Sequence, residues 1–268
     1  MKTVVFCNQK GGVGKTTSAV NVAACLGQLG YKTLLIDMDP QGNSGSGVGL
    51  NKYRVEKSIY HALIGEVSMA AVIRKTDHAN LWLAPSNRDL IGAEIELVQA
   101  FARETKLKNA LNSVQDQFDY CLIDCPPSLN LLTVNALTAA EDVLIPVQTE
   151  YYALEGISEL MNTIDLVKQS LNPELRVAGI FMTMYDSRNN LANQVMEEVR
   201  SFFKEKVFQS VIPRNVKLSE SPSHGKPIYL YDPKSKGAET YQSLAQEIHE
   251  RLSQVAKGSL RLIHCEGE

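Results

Sequence analysis

The sequence predicts an α/β fold, with a mostly parallel, twisted sheet that is covered by helices on both faces. Strand-like apolar runs alternate with helical patterns along almost the whole chain, and this alternation is typical of parallel sheets. The chain has 268 residues, of which 44% are hydrophobic and 21% are charged, so it can form a core without disulfides. No repeat, low-complexity tract or linker divides it. We therefore predict one domain over residues 1–256 and a flexible C-terminal tail at 257–268.

The elements follow one another in a regular order. Strands are predicted at 3–7, 32–37, 81–84, 119–124, 142–147 and 176–182, with short extended segments near 207–212 and 227–230. Helices are predicted at 15–30, 56–64, 92–116, 129–140, 153–170, 190–204 and 237–257. Two irregular stretches remain, at 39–52 and 213–227. Loops of this length in a compact domain are usually functional or mobile, so both are candidate parts of a site.

Cysteine content and hydropathy argue against several classes of protein. None of the five cysteines forms a C-x-x-C pair, and this spacing argues against a zinc or redox site. The first strand begins almost at Met1, leaving no room for a signal peptide, and no apolar run approaches the length of a membrane span. We expect a cytoplasmic protein with no membrane partner.

A glycine-rich turn follows the first strand. Residues 10–17 read KGGVGKTT, after the apolar run Val4–Phe6 and before a predicted helix. The backbone N–H groups of such a turn and the positive end of the helix together cradle phosphates. In this arrangement Lys15 would reach the β- and γ-phosphates of a nucleotide, and the Thr16 hydroxyl would ligate Mg²⁺. A flexible turn without function is the alternative. The predicted nucleotide-binding residues of this segment are Lys10, Gly11, Gly12, Val13, Gly14, Lys15, Thr16 and Thr17.

An aspartate stands at or just beyond the end of two predicted strands. Asp39 follows the second strand and Asp124 ends the fourth. Ligands of α/β folds bind at the carboxyl ends of the strands, where a carboxylate can reach Mg²⁺ directly or through water. We therefore predict that Thr16, Asp39 and Asp124 surround a magnesium ion. For Asp39 the alternative is a turn cap before a proline, and Asp37 has either a structural or a direct role.

Charge is unevenly distributed along the chain. The formal net charge is −3, which by itself does not suggest a nucleic-acid-binding protein. Residues 200–236, however, hold eight Lys or Arg residues and three acidic ones, a local excess of five positive charges. A solvated basic face and a surface for a phosphate backbone both fit this excess.

The glycine-rich segment departs from the ordinary P-loop, because Gln9 stands where the first glycine is usual and Lys10 adds a second lysine. KGGVGKTT resembles the deviant Walker A motif of the ParA/MinD ATPases, and LLIDMDPQGN at 34–43 resembles the Walker A′ motif of ParA proteins. Asp124 with the following Cys-Pro-Pro is similar to the D-x-P-P motif of that family. The runs GAEIEL, EYYALEG and VIPRNVKLSESPSHGKPIYLYDPKSKGAE resemble Soj-type chromosomal ParA proteins. The resemblance covers roughly residues 2–256.

This resemblance implies a P-loop ATPase that hydrolyses ATP with Mg²⁺. ATP would clamp two subunits face to face, and Lys10 of each subunit would reach the nucleotide of the other. Lys10, Lys15 and Mg²⁺ would neutralise charge on the phosphates, and Asp39 would help to position the attacking water or the metal shell. The residues that the resemblance places against the adenine base are Thr183, Met184, Pro213 and Asn215.

The resemblance also implies a DNA partition function. Arg188 and Lys217, with Lys226 beside them, would hold double-stranded DNA nonspecifically across the dimer. A ParB-like activator would stimulate hydrolysis and release the DNA, so the protein would associate with the nucleoid and segregate a chromosome or plasmid. Lys217 stands where arginine is more usual in this family. Lysine keeps the positive charge but cannot make the bidentate contact with phosphate that arginine makes.

Three other functions are weighed against this one. A MinD-like cell-division regulator needs a basic amphipathic C-terminal helix, whereas the tail here is short and ends in acidic residues. A metabolic P-loop enzyme, such as a dethiobiotin synthetase, shares the fold but leaves the basic stretch at 200–236 unexplained. An ATPase that positions another cargo, such as a protein organelle, remains open.

Overall fold

The protein forms a seven-stranded sheet with strand order β3-β4-β2-β5-β1-β6-β7. A computed structural model describes residues 1–263, with side-chain surroundings given through residue 254. All neighbouring strands are parallel except the edge pair β3–β4. The strands are β1 (Lys2–Phe6), β2 (Thr33–Asp37), β3 (Arg74–Lys75), β4 (Leu81–Ala84), β5 (Tyr120–Asp124), β6 (Asp142–Gln148) and β7 (Arg176–Thr183). The prediction of a mostly parallel α/β sheet is confirmed.

Helices of very different length connect and cover the strands. They are α1 (Lys15–Gln28), α2 (Asn43–Gly47), α3 (Ile59–Leu63), α4 (Met69–Val72), α5 (Leu90–Glu96), α6 (Lys106–Leu111), α7 (Leu131–Ala139), α8 (Ala153–Ser170), α9 (Asn190–Phe203), α10 (Val216–Glu220), α11 (Ile228–Tyr231) and α12 (Lys236–Ile263). Short 3-10 turns lie at Lys52–Arg54, Leu97–Gln99, Arg103–Thr105, Gln115–Gln117, Lys204–Lys206 and Ser221–His224.

Each central strand supplies side chains to both faces of the sheet. Val4 and Phe6 of β1 belong to the apolar cluster that α1 and α12 cover, together with Leu35 of β2. Val5 and Ile36 point into the opposite cluster, beneath α7, α8 and α9. Successive side chains of a strand point to opposite faces, so a strand that is covered on both sides reads as a continuous apolar run. Burial of both faces explains why these strands could be predicted from apolar runs alone.

The predicted helix over 92–116 is wrong as a single element. Helix α5 ends at Glu96, two short turns follow, and α6 occupies only Lys106–Leu111. Ala102 takes a left-handed φ of 50°, which interrupts any regular helix at that point. The antiparallel edge strand β3 was not predicted, because its two residues carry no recognisable pattern.

The two short extended segments near the C-terminal third are also corrected. Residues 227–230 lie almost entirely in the helical turn α11, where the backbone N–H of Ile228 donates to Asn21 Oδ1 at 2.7 Å. This long-range bond is invisible in the local sequence. At 207–212 no continuous strand forms: Val207 makes an isolated parallel bridge to Ile180, and the backbone N–H groups of Phe208 and Ile212 donate to β7 carbonyls at 2.8 and 2.9 Å.

The last helix extends further than predicted. Helix α12 runs to Ile263, so it includes the first part of the predicted tail at 257–268, while residues 264–268 lie outside the described residues. The division into a domain and a tail therefore stays a prediction. Within the searched part of the chain, no helix combines the length and apolar character needed to cross a membrane.

Strand register sets the position of the site. Asp124 of β5 pairs with Phe6 of β1 on one side and with Asp37 of β2 on the other. The segments that follow these three strands therefore leave the sheet side by side, at its carboxyl edge. This juxtaposition brings the glycine-rich turn next to the two acidic segments.

Candidate active site

The glycine-rich turn links β1 to α1 and is fixed at several points. Gly12 and Gly14 have φ values of 77° and 85°, a left-handed conformation that residues with a Cβ rarely adopt. Asn8 ties the turn to β6, because its Nδ2 donates to the carbonyl of Pro146 at 2.8 Å and its Oδ1 accepts from the backbone N–H of Lys10 at 2.9 Å. The turn is therefore held in shape by the sheet beneath it.

Lys15 places a buried cation at the start of α1. Lys15 is only 6% exposed, and its Nζ donates to the carbonyl of Lys10 at 3.0 Å. Burial lowers the pKa of this ammonium, whereas the nearby carboxylates of Asp124 and Asp39 act in the opposite direction. A buried cation beside unsatisfied helix N–H groups is well suited to an anionic ligand such as a phosphate.

Asp37 organises the segment after β2. It is fully buried, and its carboxylate accepts backbone N–H bonds from Asp39 at 3.1 Å, Ser44 at 3.0 Å and Gly45 at 3.4 Å. Burial, and then the nearby Asp124, hold the pKa of Asp37 well above its usual range. Of the two roles considered for Asp37, these bonds support the structural one.

Asp124 has one occupied and one free carboxylate oxygen. Oδ2 accepts a hydrogen bond from the Ser44 hydroxyl at 2.8 Å, whereas Oδ1 is buried without a hydrogen-bond partner among the described residues. Burial raises the pKa of this carboxyl to about 6. The hydroxyl of Thr16 lies nearby and lowers that pKa, although it makes no hydrogen bond to Oδ1. An orphaned carboxylate oxygen beside a threonine hydroxyl is a suitable donor set for a hard cation such as Mg²⁺.

The surroundings of this donor set favour magnesium over a metal held entirely by protein. No group of three or more His, Cys, Asp or Glu side chains that could hold a metal was found within the described portion of the chain. Mg²⁺ is usually bound by one or two carboxylates, with water and substrate phosphates completing its shell. The residues present therefore fit magnesium that arrives with a nucleotide.

A cavity of about 670 Å³ joins most of the predicted site residues. Asp39, one of the predicted metal ligands, lies in its wall. Asp39 is 8% exposed, and its carboxylate accepts a hydrogen bond from the backbone N–H of Gln41 at 2.9 Å. The predicted residues along its walls are Gly11, Gly12, Gly14, Lys15, Thr16, Thr17, Asp39, Thr183, Met184, Pro213 and Asn215. Of the predicted nucleotide- and metal-binding residues, Lys10, Val13 and Asp124 do not line the cavity itself.

Val13 and Lys10 have other contacts. The Val13 carbonyl accepts a hydrogen bond from the Thr183 hydroxyl at 2.9 Å, which joins the glycine-rich turn to the end of β7. The Lys10 ammonium forms an ion pair with Glu150, just beyond β6. In this structure the Lys10 side chain thus has a partner in its own subunit.

The three predicted DNA-binding residues are exposed, and two of them form local ion pairs. Arg188 pairs with Asp186 through two hydrogen bonds of 2.9 and 2.8 Å. Lys217 pairs with Glu220 at 2.9 Å and lies 5.8 Å from the centre of the Tyr231 ring. Solvent screens ion pairs of this kind, so a stronger anion can replace the carboxylate.

Lys226 is exposed and lies apart from these pairs. It lines a smaller cavity of about 250 Å³, together with Thr16 and Thr17 of the nucleotide site and Asn43 of α2. The loop that carries Lys226 is therefore packed beside the start of α1. This position links the basic stretch to the nucleotide site.

Sequence reasoning missed several residues of the site, among them Ser44, Glu150 and Arg214. Ser44 and Glu150 bond to Asp124 and Lys10 across 80 and 140 residues, respectively, so no local pattern predicted either contact. Arg214 lines the large cavity between two residues that were predicted. Its place in the predicted base-contacting loop was the only available signal.

Known proteins resemble this chain over nearly its whole length. A model of the AAA domain family matches residues 1–177. The sporulation initiation inhibitor protein Soj of Bacillus subtilis is 54% identical over 247 residues, which cover 92% of this chain and 98% of that protein. The chromosome partitioning protein ParA of Myxococcus xanthus is 54% identical over 250 residues, covering 93% of this chain and 88% of that protein.

A solved structure gives the same picture of the fold. The cobyrinic acid a,c-diamide synthase of Mycobacterium smegmatis, crystallised with ADP and magnesium, superposes with a TM-score of 0.81 at 37% identity. The match covers 92% of this chain and 93% of that one. The resemblance inferred from the motifs is thereby confirmed by similarity along the entire domain. The chain belongs to the Soj/ParA family of chromosome-partitioning ATPases.

Proposed function

We propose that this protein is a DNA partition ATPase that binds ATP with Mg²⁺, dimerises, holds DNA nonspecifically and lets it go after hydrolysis. One observation carries the nucleotide part of the proposal. The buried ammonium of Lys15, at the end of the glycine-rich turn, lies near Asp124, whose Oδ1 is buried without a partner among the described residues. A cation and an unsatisfied carboxylate in such a place are both stabilised by a metal–phosphate ligand.

The reaction is phosphoryl transfer to water. The N–H groups of the glycine-rich turn and the Lys15 ammonium hold the phosphates and stabilise charge that develops on them. Thr16 and Asp124 would hold a magnesium ion, which would supply further charge neutralisation when bound. Asp39, at the wall of the cavity, orients the attacking water. Positioning and electrostatics, rather than a strong base, carry this reaction.

Assembly depends on Lys10. Its carbonyl accepts from Lys15 within the site, but its ammonium is directed to Glu150, away from the wall of its own cavity. We infer that ATP brings two subunits face to face, and that each Lys10 ammonium exchanges its carboxylate partner for the phosphates of the other subunit. The phosphates of ATP carry more negative charge than the single carboxylate of Glu150, and this difference favours the exchange.

DNA binding follows from assembly. Arg188, Lys217 and Lys226 provide exposed positive charge, and a dimer would double the number of contacts along one duplex. Contacts to phosphates carry no base sequence, so binding is nonspecific and associates the protein with the nucleoid. A ParB-like activator would then accelerate hydrolysis, separate the subunits and free the DNA.

The proposal is tested by measuring assembly and DNA binding in three nucleotide states. Gel filtration and retardation of a random 40-base-pair duplex are run without nucleotide, with ADP, and with a nonhydrolysable ATP analogue, each with Mg²⁺. We expect a dimer and strong DNA binding only with the analogue. The variant Lys15→Ala is the matched control, because it removes the cation for the phosphates and should remain a monomer throughout.

Two outcomes would overturn the proposal. Equal DNA binding in all three states would remove nucleotide control, and absence of DNA binding in a dimer that does form would remove the partition function. The second outcome would favour a metabolic reaction, as the name of the M. smegmatis relative suggests for that protein. Steady ATP turnover that DNA and a ParB-like protein leave unchanged would point the same way.

A further inference from the structure

Ser44 connects two buried carboxylates on neighbouring strands. It is fully buried in the short helix α2, five residues beyond Asp39. Its backbone N–H donates to Asp37 Oδ2 at 3.0 Å, and its hydroxyl donates to Asp124 Oδ2 at 2.8 Å. One residue thus fastens the segment after β2 to the end of β5.

The hydroxyl bond has a specific consequence for Asp124. Rotation of a carboxylate about its last bond is broad and roughly two-fold, so a single fixed donor decides which oxygen faces which side. With Oδ2 held by Ser44, Oδ1 is the oxygen left over, and it is buried without a partner in the described part of the protein. A metal ion that is bound through one oxygen would meet an acceptor already oriented for it.

We propose that Ser44 is a positioning residue for the magnesium site, which acts by holding Oδ2 of Asp124 so that Oδ1 is presented to the metal. This inference rests on the proposed function, since it requires that Asp124 take part in Mg²⁺ binding. Partners that orient a metal ligand from behind typically change metal affinity by about 10- to 100-fold when they are removed. The same hydroxyl also keeps the Asp39 segment in register with the metal ligand.

The experiment uses ADP binding with and without Mg²⁺, measured by calorimetry on the whole protein. In Ser44→Ala the backbone N–H to Asp37 is kept and only the hydroxyl bond to Asp124 is lost. We expect the factor by which Mg²⁺ strengthens ADP binding to fall about 10-fold, while ADP affinity without Mg²⁺ stays within about two-fold. Ser58→Ala is the control, because Ser58 is equally buried and its hydroxyl is also hydrogen-bonded, but it lines neither of the two cavities at the nucleotide site.

A second variant checks that Ser44 acts through Asp124. If it does, Ser44→Ala should change nothing further in an Asp124→Asn background, because effects along one chain of contacts are not additive. A thermal unfolding curve for each variant reports on the fold independently of metal.

Each possible result decides a separate question. If ADP binding is weakened equally with and without Mg²⁺, Ser44 is only structural and the inference is wrong. If Ser44→Ala matches wild type while wild type responds to Mg²⁺, positioning fails but the proposed metal site stands. If Mg²⁺ leaves wild-type ADP affinity unchanged, the proposed metal site itself fails, and this inference with it.

Discussion

Lys10 and Glu150 form an ion pair between the glycine-rich turn and the segment just beyond β6. The two side chains are 37% and 47% exposed, so solvent screens their attraction and the pair contributes at most about 1 kcal/mol. Gln148 holds the carboxylate from its other side, since its Nε2 donates to Glu150 Oε1 at 2.6 Å. The pair keeps the Lys10 ammonium in a defined place, yet its small energy lets a phosphate replace the carboxylate.

Replacement of this lysine should separate nucleotide binding from assembly. Lys10→Ala keeps the carbonyl that accepts from Lys15, so we expect ATP affinity within about three-fold of wild type, a loss below 1 kcal/mol. The variant should nevertheless stay monomeric with the nonhydrolysable analogue. Light scattering after gel filtration measures the mass. Glu150→Gln is the control, because it releases Lys10 without removing it and should still dimerise. A Lys10→Ala dimer of normal stability would rule out contact across subunits.

Loss of the carboxylate at Asp39 should stop hydrolysis without preventing assembly. Its side chain lies at the cavity wall and holds only the backbone N–H of Gln41 within the segment. In Asp39→Ala we expect kcat to fall by about 10²-fold or more, because the attacking water is no longer held in position. ATP-dependent dimerisation should persist and last longer than in wild type. Phosphate release is the measurement, and turnover at the wild-type rate would take Asp39 out of the mechanism.

Reversal of the exposed charges at Arg188 and Lys217 should abolish DNA binding but not dimerisation. Both residues lie outside the walls of the nucleotide cavity, and their carboxylate partners are half-buried. The double variant Arg188→Glu/Lys217→Glu should fail to retard random duplex DNA in the presence of the ATP analogue. Lys168→Glu, which makes the same change of two charge units as each single replacement but at an exposed residue of α8, should bind like wild type.

Salt dependence gives a second check on the same surface. Each phosphate contact contributes a slope of about −0.9 to log affinity against log salt concentration. A dimer with about six contacts should therefore lose roughly three decades of affinity between 50 and 200 mM salt. If the double variant retains the wild-type slope, the DNA surface lies elsewhere.

Asp124 should make the stability of the nucleotide-free protein depend on pH. Because its pKa is raised to about 6 from the usual 3.8, the folded protein binds more protons than the unfolded chain between these values. Stability should therefore decrease as pH rises from about 4 to 6 and remain lower above that range. Asp124→Asn should raise the melting temperature at pH 7.5 and flatten this part of the curve. A lower melting temperature at pH 7.5 would show that the charge is not destabilising.

The same titration should act on magnesium in the opposite direction. Mg²⁺ needs the ionised carboxylate, so its enhancement of ADP binding should be lost as pH falls through about 6. Calorimetry at pH 5, 6 and 7.5 measures this change, and Asp124→Asn should show little enhancement at any of them. An enhancement that is constant across this range would exclude Asp124 as the titrating ligand.

Features that depend on local order were predictable from the sequence by itself. Apolar runs marked six of the seven strands because each of those strands is largely buried, and the glycines with Lys15 and Thr16 marked the turn that we propose binds phosphate. Asp39 and Asp124 could be assigned to the site because parallel strands end at one edge of the sheet. In each case the residues that support the prediction are neighbours in the sequence.

Contacts between distant segments were decided only by the tertiary structure. The break at Ala102 and the helical turn at Ile228 depend on packing and on a hydrogen bond from Asn21, and both overrode the local pattern. Asp124 meets Ser44 because β5 lies next to β2, and the pair of Lys10 with Glu150 exists because β1 lies next to β6. Strand order and register, which no local pattern encodes, therefore determine which oxygen of Asp124 is free and where the Lys10 ammonium rests.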